Sequence, residues 1–176
     1  MGAQTRCSAQ PDGAVPPGPR RAVAVGLTGG IGAGKSTALA MFRELGALTT
    51  SADAIVHDLY TRPGFIARLH EHFGPDVLNP DGTVDRRRLA ALVRGKREEL
   101  RWLEGLTHPL VAEEIERFVA DAPAGSVVVC EVPLLVESGY EPLFDLIVTV
   151  EAAREHRLRR SASRFHPQSF DEFERL

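Results

Sequence analysis

The residues best suited to chemistry in this chain lie in one glycine-rich segment, positions 29–37. The segment fits the pattern G-x-x-x-x-G-K-[ST] without a mismatch. Its glycines let backbone N–H groups turn towards phosphate oxygens, and a helix that begins there adds its positive end. The predicted phosphate-binding positions are Gly29, Gly30, Gly32, Ala33, Gly34, Lys35, Ser36 and Thr37. The alternative is a glycine turn that precedes a lysine by chance.

Three side chains of this segment have distinct predicted roles. Lys35 is expected to reach the β- and γ-phosphates of a nucleotide, and the Ser36 hydroxyl is expected to ligand Mg²⁺. Thr37 lies one step further along the helix and would face the α-phosphate. The segment therefore predicts binding of a nucleoside triphosphate with its metal.

Two acidic residues are predicted to lie beside the glycine segment. Asp53 follows a short predicted strand, and Glu131 ends an apolar run that also predicts a strand. Because the carboxyl ends of parallel strands share one edge of a sheet, both would lie near the phosphates. There Asp53 would accept a proton from a substrate hydroxyl or hold metal-bound water, and Glu131 would order such water. The alternatives are a helix cap for Asp53 and an ordinary strand-end acid for Glu131.

A short basic segment follows the last predicted strand. Its arginines are Arg154, Arg157, Arg159, Arg160 and Arg164. Three of them, Arg157, Arg160 and Arg164, fall on one face of a predicted helix. Guanidinium groups on that face would neutralise the oxygens of a transferring phosphoryl group, whereas the alternative is a solvated basic face.

The elements that must position these residues follow from the apolar pattern. Strands are predicted at 22–27, 47–50, 127–130 and 146–150, and helices at 35–45, 54–60 and 151–164. A helical pattern fills 65–122, where Thr107-His108-Pro109 predicts a second helix start with Thr107 as its cap. His108 is assigned equally to a substrate contact or a structural turn. Alternating strands and helices predict an α/β fold with a parallel sheet wrapped by helices, and the long insert predicts a substrate lobe.

Length, composition and charge exclude several other classes of protein. The chain has 176 residues, enough for one domain, and 43% of them are hydrophobic. The formal net charge of −3 argues against general nucleic-acid binding, and no apolar run reaches the length of a membrane span. Cys7 and Cys130 indicate neither a disulfide framework nor a metal site, which favours the cytoplasm. Residues 1–20, rich in proline and glycine, are predicted to be a disordered tail.

The glycine segment is one of several segments that together resemble the dephospho-coenzyme A kinase family. They run in the family's order over nearly all of 22–164. The segments are 26–37, Ala52-Asp53, Arg62-Pro63-Gly64, Phe73-Gly74, 81–86, Leu103-Glu104, Thr107-His108-Pro109-Leu110 and 132–137. The glycine segment alone would indicate only the P-loop superfamily. The His-Pro and Val-Pro-Leu-Leu-x-Glu segments in this order are far more specific.

The resemblance implies a P-loop NTPase fold of three layers, with a parallel sheet flanked by helices in a domain at 21–176. It implies a helical CoA-binding lobe at about 60–122 and a lid from about 160. The implied reaction is the transfer of a phosphoryl group from ATP, with Mg²⁺, to the 3′-hydroxyl of dephospho-CoA. The implied partner is that small molecule. Apart from the resemblance, no nucleic-acid or membrane partner is expected, and the chain is expected to be a monomer or weak homo-oligomer.

The resemblance also implies roles for single residues. By position, Asp53 matches the proposed catalytic carboxylate, and Arg160 and Arg164 match the lid arginines. With Lys35 and Arg160, Asp53 completes the predicted catalytic set. The predicted substrate-binding residues are Thr28, Asp53, Arg86 and His108.

The chain departs from the family pattern at four places, one of which is the uncommon lid sequence at 163–169. Ser51 stands where the family usually has the first acid of Asp-Ala-Asp, and Arg157 replaces the usual glutamine before the lid. The family also continues past the position of Leu176, so the last strand and part of the lid are predicted to be missing. The sequence leaves two alternatives to the implied reaction open. One is a kinase of another small acceptor, such as a nucleoside monophosphate or sugar acid, and the other is a nucleotide-binding protein without turnover.

Overall fold

A computed structural model describes residues 21–161 of the chain. The strands are Val23–Thr28 (β1), Leu48–Ser51 (β2), Val127–Glu131 (β3) and Leu146–Thr149 (β4). The helices are Lys35–Glu44 (α1), Ala52–Leu59 (α2), Pro63–Phe73 (α3), Arg86–Val93 (α4), Arg97–Ala120 (α5) and Arg154–Ser161 (α6). The predicted tail at 1–20 and the predicted lid residue Arg164 lie outside the described residues.

The strands form one parallel sheet in the order β2-β3-β1-β4. This confirms the predicted α/β fold. β1 lies between β3 and β4, and its Leu27 is fully buried and pairs with Glu131 of β3. The loop that follows β1 therefore opens at the middle of the sheet's carboxyl edge, where ligands bind in folds of this kind.

Two apolar clusters hold the layers together. The smaller one packs α1 against the sheet through Val25, Leu27, Leu39 and Val129. The larger one joins α2, α3, α4 and α5, which lie between β2 and β3 along the chain, to the residues that follow β3. Its fully buried members include Leu59, Leu69, Ile115 and Leu135. Because these helices share an apolar core with β3, the packing fixes the position of their residues relative to the sheet.

The predicted second helix start at Thr107-His108-Pro109 is wrong. α5 is one helix of 24 residues that runs through Pro109. Pro109 has no N–H for the carbonyl four residues earlier, but the buried contacts of Val111 and Ile115 keep the helix continuous. The Thr107 hydroxyl donates to the carbonyl oxygen of Leu103 at 2.7 Å, as a residue inside a helix does, and caps nothing.

The start of α2 also differs from the prediction. The helix begins at Ala52, so Asp53 lies inside its first turn rather than ahead of it. The cap is Ser51, whose hydroxyl oxygen accepts a hydrogen bond from the N–H of Ala54 at 3.1 Å. The alternative interpretation of Asp53 as a helix cap is therefore wrong, and its carboxylate is free for other contacts.

β4 forms one edge of the sheet within the described residues. Its aliphatic side chains are unusually open for a strand of a parallel sheet: Leu146 is 59% exposed and Ile147 is 42% exposed. No helix in the described part of the chain is long and apolar enough to cross a bilayer.

Candidate active site

The loop after β1 owes its shape to glycines in conformations that other residues rarely adopt. Gly32 has a φ of +71°, and Gly34, which caps α1, has a φ of +108°. Helix α6 packs directly on this loop. A Cβ atom at Gly32 would lie 2.5 Å from the carbonyl oxygen of Arg157, so the close approach also requires glycine.

Lys35 begins α1 and folds back over the glycine loop. Its ammonium nitrogen donates to the carbonyl oxygens of Gly29 at 2.7 Å and Gly30 at 3.2 Å. Burial lowers the pKa of Lys35, whereas the negative charges of Glu131 and Asp53 act in the opposite direction. The lysine is thus positioned by the same loop that presents the backbone N–H groups.

Glu131 ends β3 beside the first turn of α1. The Ser36 hydroxyl donates to its carboxylate at 3.4 Å, a long hydrogen bond. Burial raises the pKa of Glu131, and the positive charge of Lys35 and the bond from Ser36 oppose that rise. At the carboxyl edge of β1 and β3, Glu131 therefore interacts both with the charge of Lys35 and with the hydroxyl of Ser36.

These residues line a cleft of about 500 Å³, which we call the nucleotide cleft. Its lining residues are Ile31, Gly32, Gly34, Lys35, Ser36, Thr37, Asp53, Glu131, Pro133 and Arg160. Two other predicted phosphate-binding residues, Gly30 and Ala33, line a separate cavity of about 290 Å³ together with Arg157.

Arg160 approaches the glycine loop from α6. Its guanidinium donates to the carbonyl oxygens of Gly32 at 3.2 Å and Ala33 at 3.1 Å. Arg157, one turn earlier, donates from Nε to the carbonyl oxygen of Ala152 at 3.2 Å. Of these two arginines, Arg160 is the one that lines the nucleotide cleft.

A second cavity, of about 260 Å³, adjoins the nucleotide cleft, and we call it the acceptor cavity. Asp53 and Pro133 line both cavities. The remaining wall combines apolar and polar side chains. It consists of Ala52, Val56, Tyr60, Leu103, Glu104, Thr107, His108, Val111, Val132, Leu134, Ser138 and Tyr140. Asp53 thus lies where a molecule in one cavity would meet a molecule in the other.

The predicted substrate-binding residues do not all line the acceptor cavity. His108 lines the acceptor cavity. Thr28 instead donates its hydroxyl to the carbonyl oxygen of Pro133 at 3.2 Å, and so holds the wall between the cavities. Arg86 lines neither cavity: its guanidinium is 3.1 Å from Nδ1 of His57 and 5.7 Å from the centre of the Tyr60 ring.

Sequence reasoning missed Tyr140, which is 7% exposed and lines the acceptor cavity. Its hydroxyl donates to the carbonyl oxygen of His108 at 3.2 Å. A backbone partner 32 positions away leaves no residue pattern, so no signal in the sequence could have revealed this contact. Glu104 and Ser138 also line the cavity, and neither was singled out as a site residue.

The oxygen atoms near the glycine loop suit a hard cation. No cluster of three histidine, cysteine, aspartate or glutamate side chains within residues 21–161 could hold a metal unaided. Mg²⁺ commonly takes one or two protein ligands and completes its shell with phosphate oxygens and water. The Ser36 hydroxyl and the Glu131 carboxylate fit that kind of site.

A parallel sheet, a glycine loop after its central strand, and a lysine and an acid beside that loop define a P-loop kinase. The family model of dephospho-CoA kinase matches residues 23–175. The chain therefore belongs to the dephospho-CoA kinase family, as the sequence resemblance implied.

Individual relatives agree with this assignment. The dephospho-CoA kinase of Mycolicibacterium paratuberculosis is 47% identical over 138 residues, which cover 77% of this chain and 34% of that protein. The dephospho-CoA kinase of Corynebacterium efficiens is 44% identical over 140 residues, which cover 77% of this chain and 70% of that protein. The chain thus spans about a third of one relative's length and somewhat more than two thirds of the other's.

Solved structures show the same fold. The crystal structure of TT1252 from Thermus thermophilus has a TM-score of 0.76 and 32% identity, and the likeness covers 88% of this chain and 80% of that one. Dephospho-CoA kinase from Campylobacter jejuni has a TM-score of 0.59 and 25% identity, over 85% and 76% of the two chains.

Proposed function

We propose that this chain transfers the γ-phosphoryl group of ATP to the 3′-hydroxyl of dephospho-CoA, giving CoA and ADP. The observation that carries this proposal is the position of Asp53 at the junction of the nucleotide cleft and the acceptor cavity. Phosphoryl transfer depends mainly on bringing an attacking oxygen and a phosphorus atom together while their charge is neutralised. Two adjoining cavities with one shared carboxylate suit that requirement.

On the nucleotide side, the glycine loop and Lys35 bind the phosphates. The backbone N–H groups of the loop would donate to the phosphate oxygens, and the N-terminus of α1, which begins at Lys35, adds favourable partial charge. Lys35 leaves the carbonyl oxygens of Gly29 and Gly30 to pair with the β- and γ-phosphates. Because its ammonium is partly desolvated, its attraction to the phosphates is stronger than that of a lysine in water.

On the acceptor side, Asp53 orients the 3′-hydroxyl and accepts its proton. α2 fixes this carboxylate at the cavity junction, and the Ser51 cap fixes the start of α2. The mixed apolar and polar wall of the acceptor cavity, with His108 in it, takes the nucleoside part of dephospho-CoA.

Mg²⁺ would be held by the Ser36 hydroxyl, with Glu131 ordering its bound water. When bound, the ion neutralises phosphate charge. Arg160 supplies a second positive charge from α6, and Arg164 stays a prediction outside the described residues. A cytoplasmic location and a monomeric or weakly associated state also stay predictions.

The test is a coupled assay of ADP release with dephospho-CoA, AMP and gluconate as acceptors, with CoA identified by mass spectrometry. Dephospho-CoA should give the highest kcat/KM. A higher value for AMP or gluconate would replace the proposal by a kinase of another acceptor. ATP binding in calorimetry without any product would indicate the nucleotide-binding alternative. Asp53→Asn should lose transfer while it retains ATP affinity, because it removes the base but not the glycine loop.

A further inference from the structure

Residues 132–140, which we call the bridging segment, connect the nucleotide cleft with the acceptor cavity. The segment follows β3 and ends before the single-turn helix Glu141–Leu143. Its Pro133 lines both cavities, and its Leu134, Ser138 and Tyr140 line the acceptor cavity. A shift of this segment would therefore change the shape of the acceptor cavity.

The first end of the bridging segment is fixed to the sheet. The N–H of Val132 donates to the carbonyl oxygen of Leu27 at 2.9 Å, and Thr28 donates to Pro133 from its side chain. Both partners belong to β1, the central strand that also carries the glycine loop. This end thus keeps a constant distance from the nucleotide cleft.

The second end is fixed to helix α5 by Tyr140. Its ring is buried, with its centre 5.7 Å from that of the His108 ring, and its hydroxyl donates to the His108 carbonyl. Its backbone N–H donates to the carbonyl oxygen of Leu135 at 3.0 Å, which makes the end of the segment compact. The side chain of Tyr140 therefore spans from the bridging segment to α5.

The contact of Tyr140 lies next to a weakened turn of helix α5. Pro109 follows His108 directly and removes one hydrogen bond from the helix ladder, so this turn of α5 is weaker than its neighbours. The same stretch of α5 forms one wall of the acceptor cavity through Leu103, Glu104, Thr107, His108 and Val111. The position of that wall depends on what supports it from the bridging segment.

We infer that Tyr140 is a positioning residue for the acceptor. Its hydrogen bond to His108 sets the distance between the bridging segment and α5, and thereby the affinity of the acceptor cavity for dephospho-CoA. The affinity for ATP does not depend on it, because Tyr140 does not line the nucleotide cleft. The identity of the acceptor rests on the function proposed above.

The test is Tyr140→Phe, which removes one oxygen atom and keeps the buried ring. Calorimetry should show the Kd for dephospho-CoA raised about three- to tenfold, the range that corresponds to one lost hydrogen bond. The Kd for ATP and the kcat should stay within about twofold of wild type, as an acceptor-specific effect requires. Amide hydrogen exchange should become faster in α5 around residues 108–112, which reports on position independently of any ligand.

Ser126→Ala is the matched control. It removes a hydroxyl that donates to the carbonyl oxygen of Pro123 at 2.7 Å, the same kind of bond, in a turn that lines neither cavity. It should change neither Kd nor the exchange of α5. An unchanged Kd for dephospho-CoA in Tyr140→Phe would overturn the inference. So would parallel losses of both affinities with a lower Tm, since that pattern indicates general destabilisation.

The proposed function and this inference can fail separately. If the wild type binds dephospho-CoA without phosphorylating it, the proposed function fails, and the Kd of Tyr140→Phe still decides the inference. If the wild type phosphorylates dephospho-CoA and Tyr140→Phe binds it equally well, only the inference fails. If the wild type does not bind dephospho-CoA, both are overturned.

Discussion

At the scale of single residues, the site depends on a small set of opposed charges. Lys35 lies among carbonyl oxygens and two carboxylates, and burial disfavours its charged form while Glu131 favours it. Burial acts on Glu131 in the same way, and Lys35 opposes it. Each group therefore favours the ionised form of the other in a partly desolvated place, where a charge acts strongly on a phosphate.

Replacing Lys35 tests this arrangement. Lys35→Ala should lower kcat/KM by about 10²- to 10³-fold, the loss typical of removing one strong donor from a transferring group. The chain's other lysine, Lys96, lies exposed before α5, so Lys96→Ala is a matched control that should keep full activity. Steady-state kinetics measure the effect, and far-UV circular dichroism checks the fold. Full activity in Lys35→Ala would contradict the assigned role.

The backbone of the glycine loop can be tested in the same way. Gly32→Ala combines a positive φ with a Cβ atom that meets the Arg157 carbonyl oxygen. Gly46→Ala has a comparable φ of +92°, but its Cβ atom would meet nothing within 4 Å. Both variants should lose about 1 kcal/mol of stability from backbone strain. Only Gly32→Ala should also weaken ATP binding by tenfold or more in calorimetry. Equal ATP affinities of the two variants would show that α6 shifts to accommodate the added Cβ atom without disturbing the site.

At the scale of elements, α2 determines where the proposed catalytic carboxylate lies. Ser51 satisfies one of the free N–H groups at the start of this helix, and Asp53 follows in its first turn. The sequence resemblance counted Ser51 as the loss of an acid. In the structure it performs the capping that an aspartate would also perform.

Ser51→Ala should therefore lower the free energy of unfolding by about 1 kcal/mol, because it leaves an N–H group of α2 without its partner. It should also reduce kcat, because the first turn that carries Asp53 frays. Ser51→Asp keeps a capping oxygen and should retain both stability and activity. Urea unfolding followed by Trp102 fluorescence gives the first quantity. A stable, fully active Ser51→Ala would show that packing alone holds α2.

The sequence was sufficient for some elements and insufficient for others, for physical reasons. The strand, glycine loop and helix around Lys35 were predicted closely because their pattern is local. The continuity of α5 was missed because buried contacts of Val111 outweigh the local effect of Pro109. Tyr140 was missed because its partner is a backbone carbonyl far along the chain, which only the folded structure brings near.

At the scale of the whole molecule, Asp145, the residue before the edge strand β4, adds side-chain contacts to the backbone pairing of β4 with β1. The N–H of Asp145 donates to the carbonyl oxygen of Ala24 at 2.8 Å, and its carboxylate accepts from the N–H of Ala24 at 2.9 Å. Arg21 donates to the same carboxylate at 2.9 Å. The segment before β1 and the start of β4 are thus joined at one ionised group.

This attachment predicts a specific loss of stability in acid. The hydrogen bond from Arg21, and next the N–H of Ala24, hold the pKa of Asp145 below its ordinary value. Because the folded-state pKa is the lower one, the stabilisation is complete above the ordinary aspartate value of about 3.9 and is lost as pH falls through the folded-state pKa. Urea unfolding at a series of pH values should show a smaller acid-induced loss of unfolding free energy for Asp145→Asn than for wild type. Arg21→Gln should lie between them, because the N–H of Ala24 remains. Equal pH dependence in all three proteins would show that other carboxylates control the acid response.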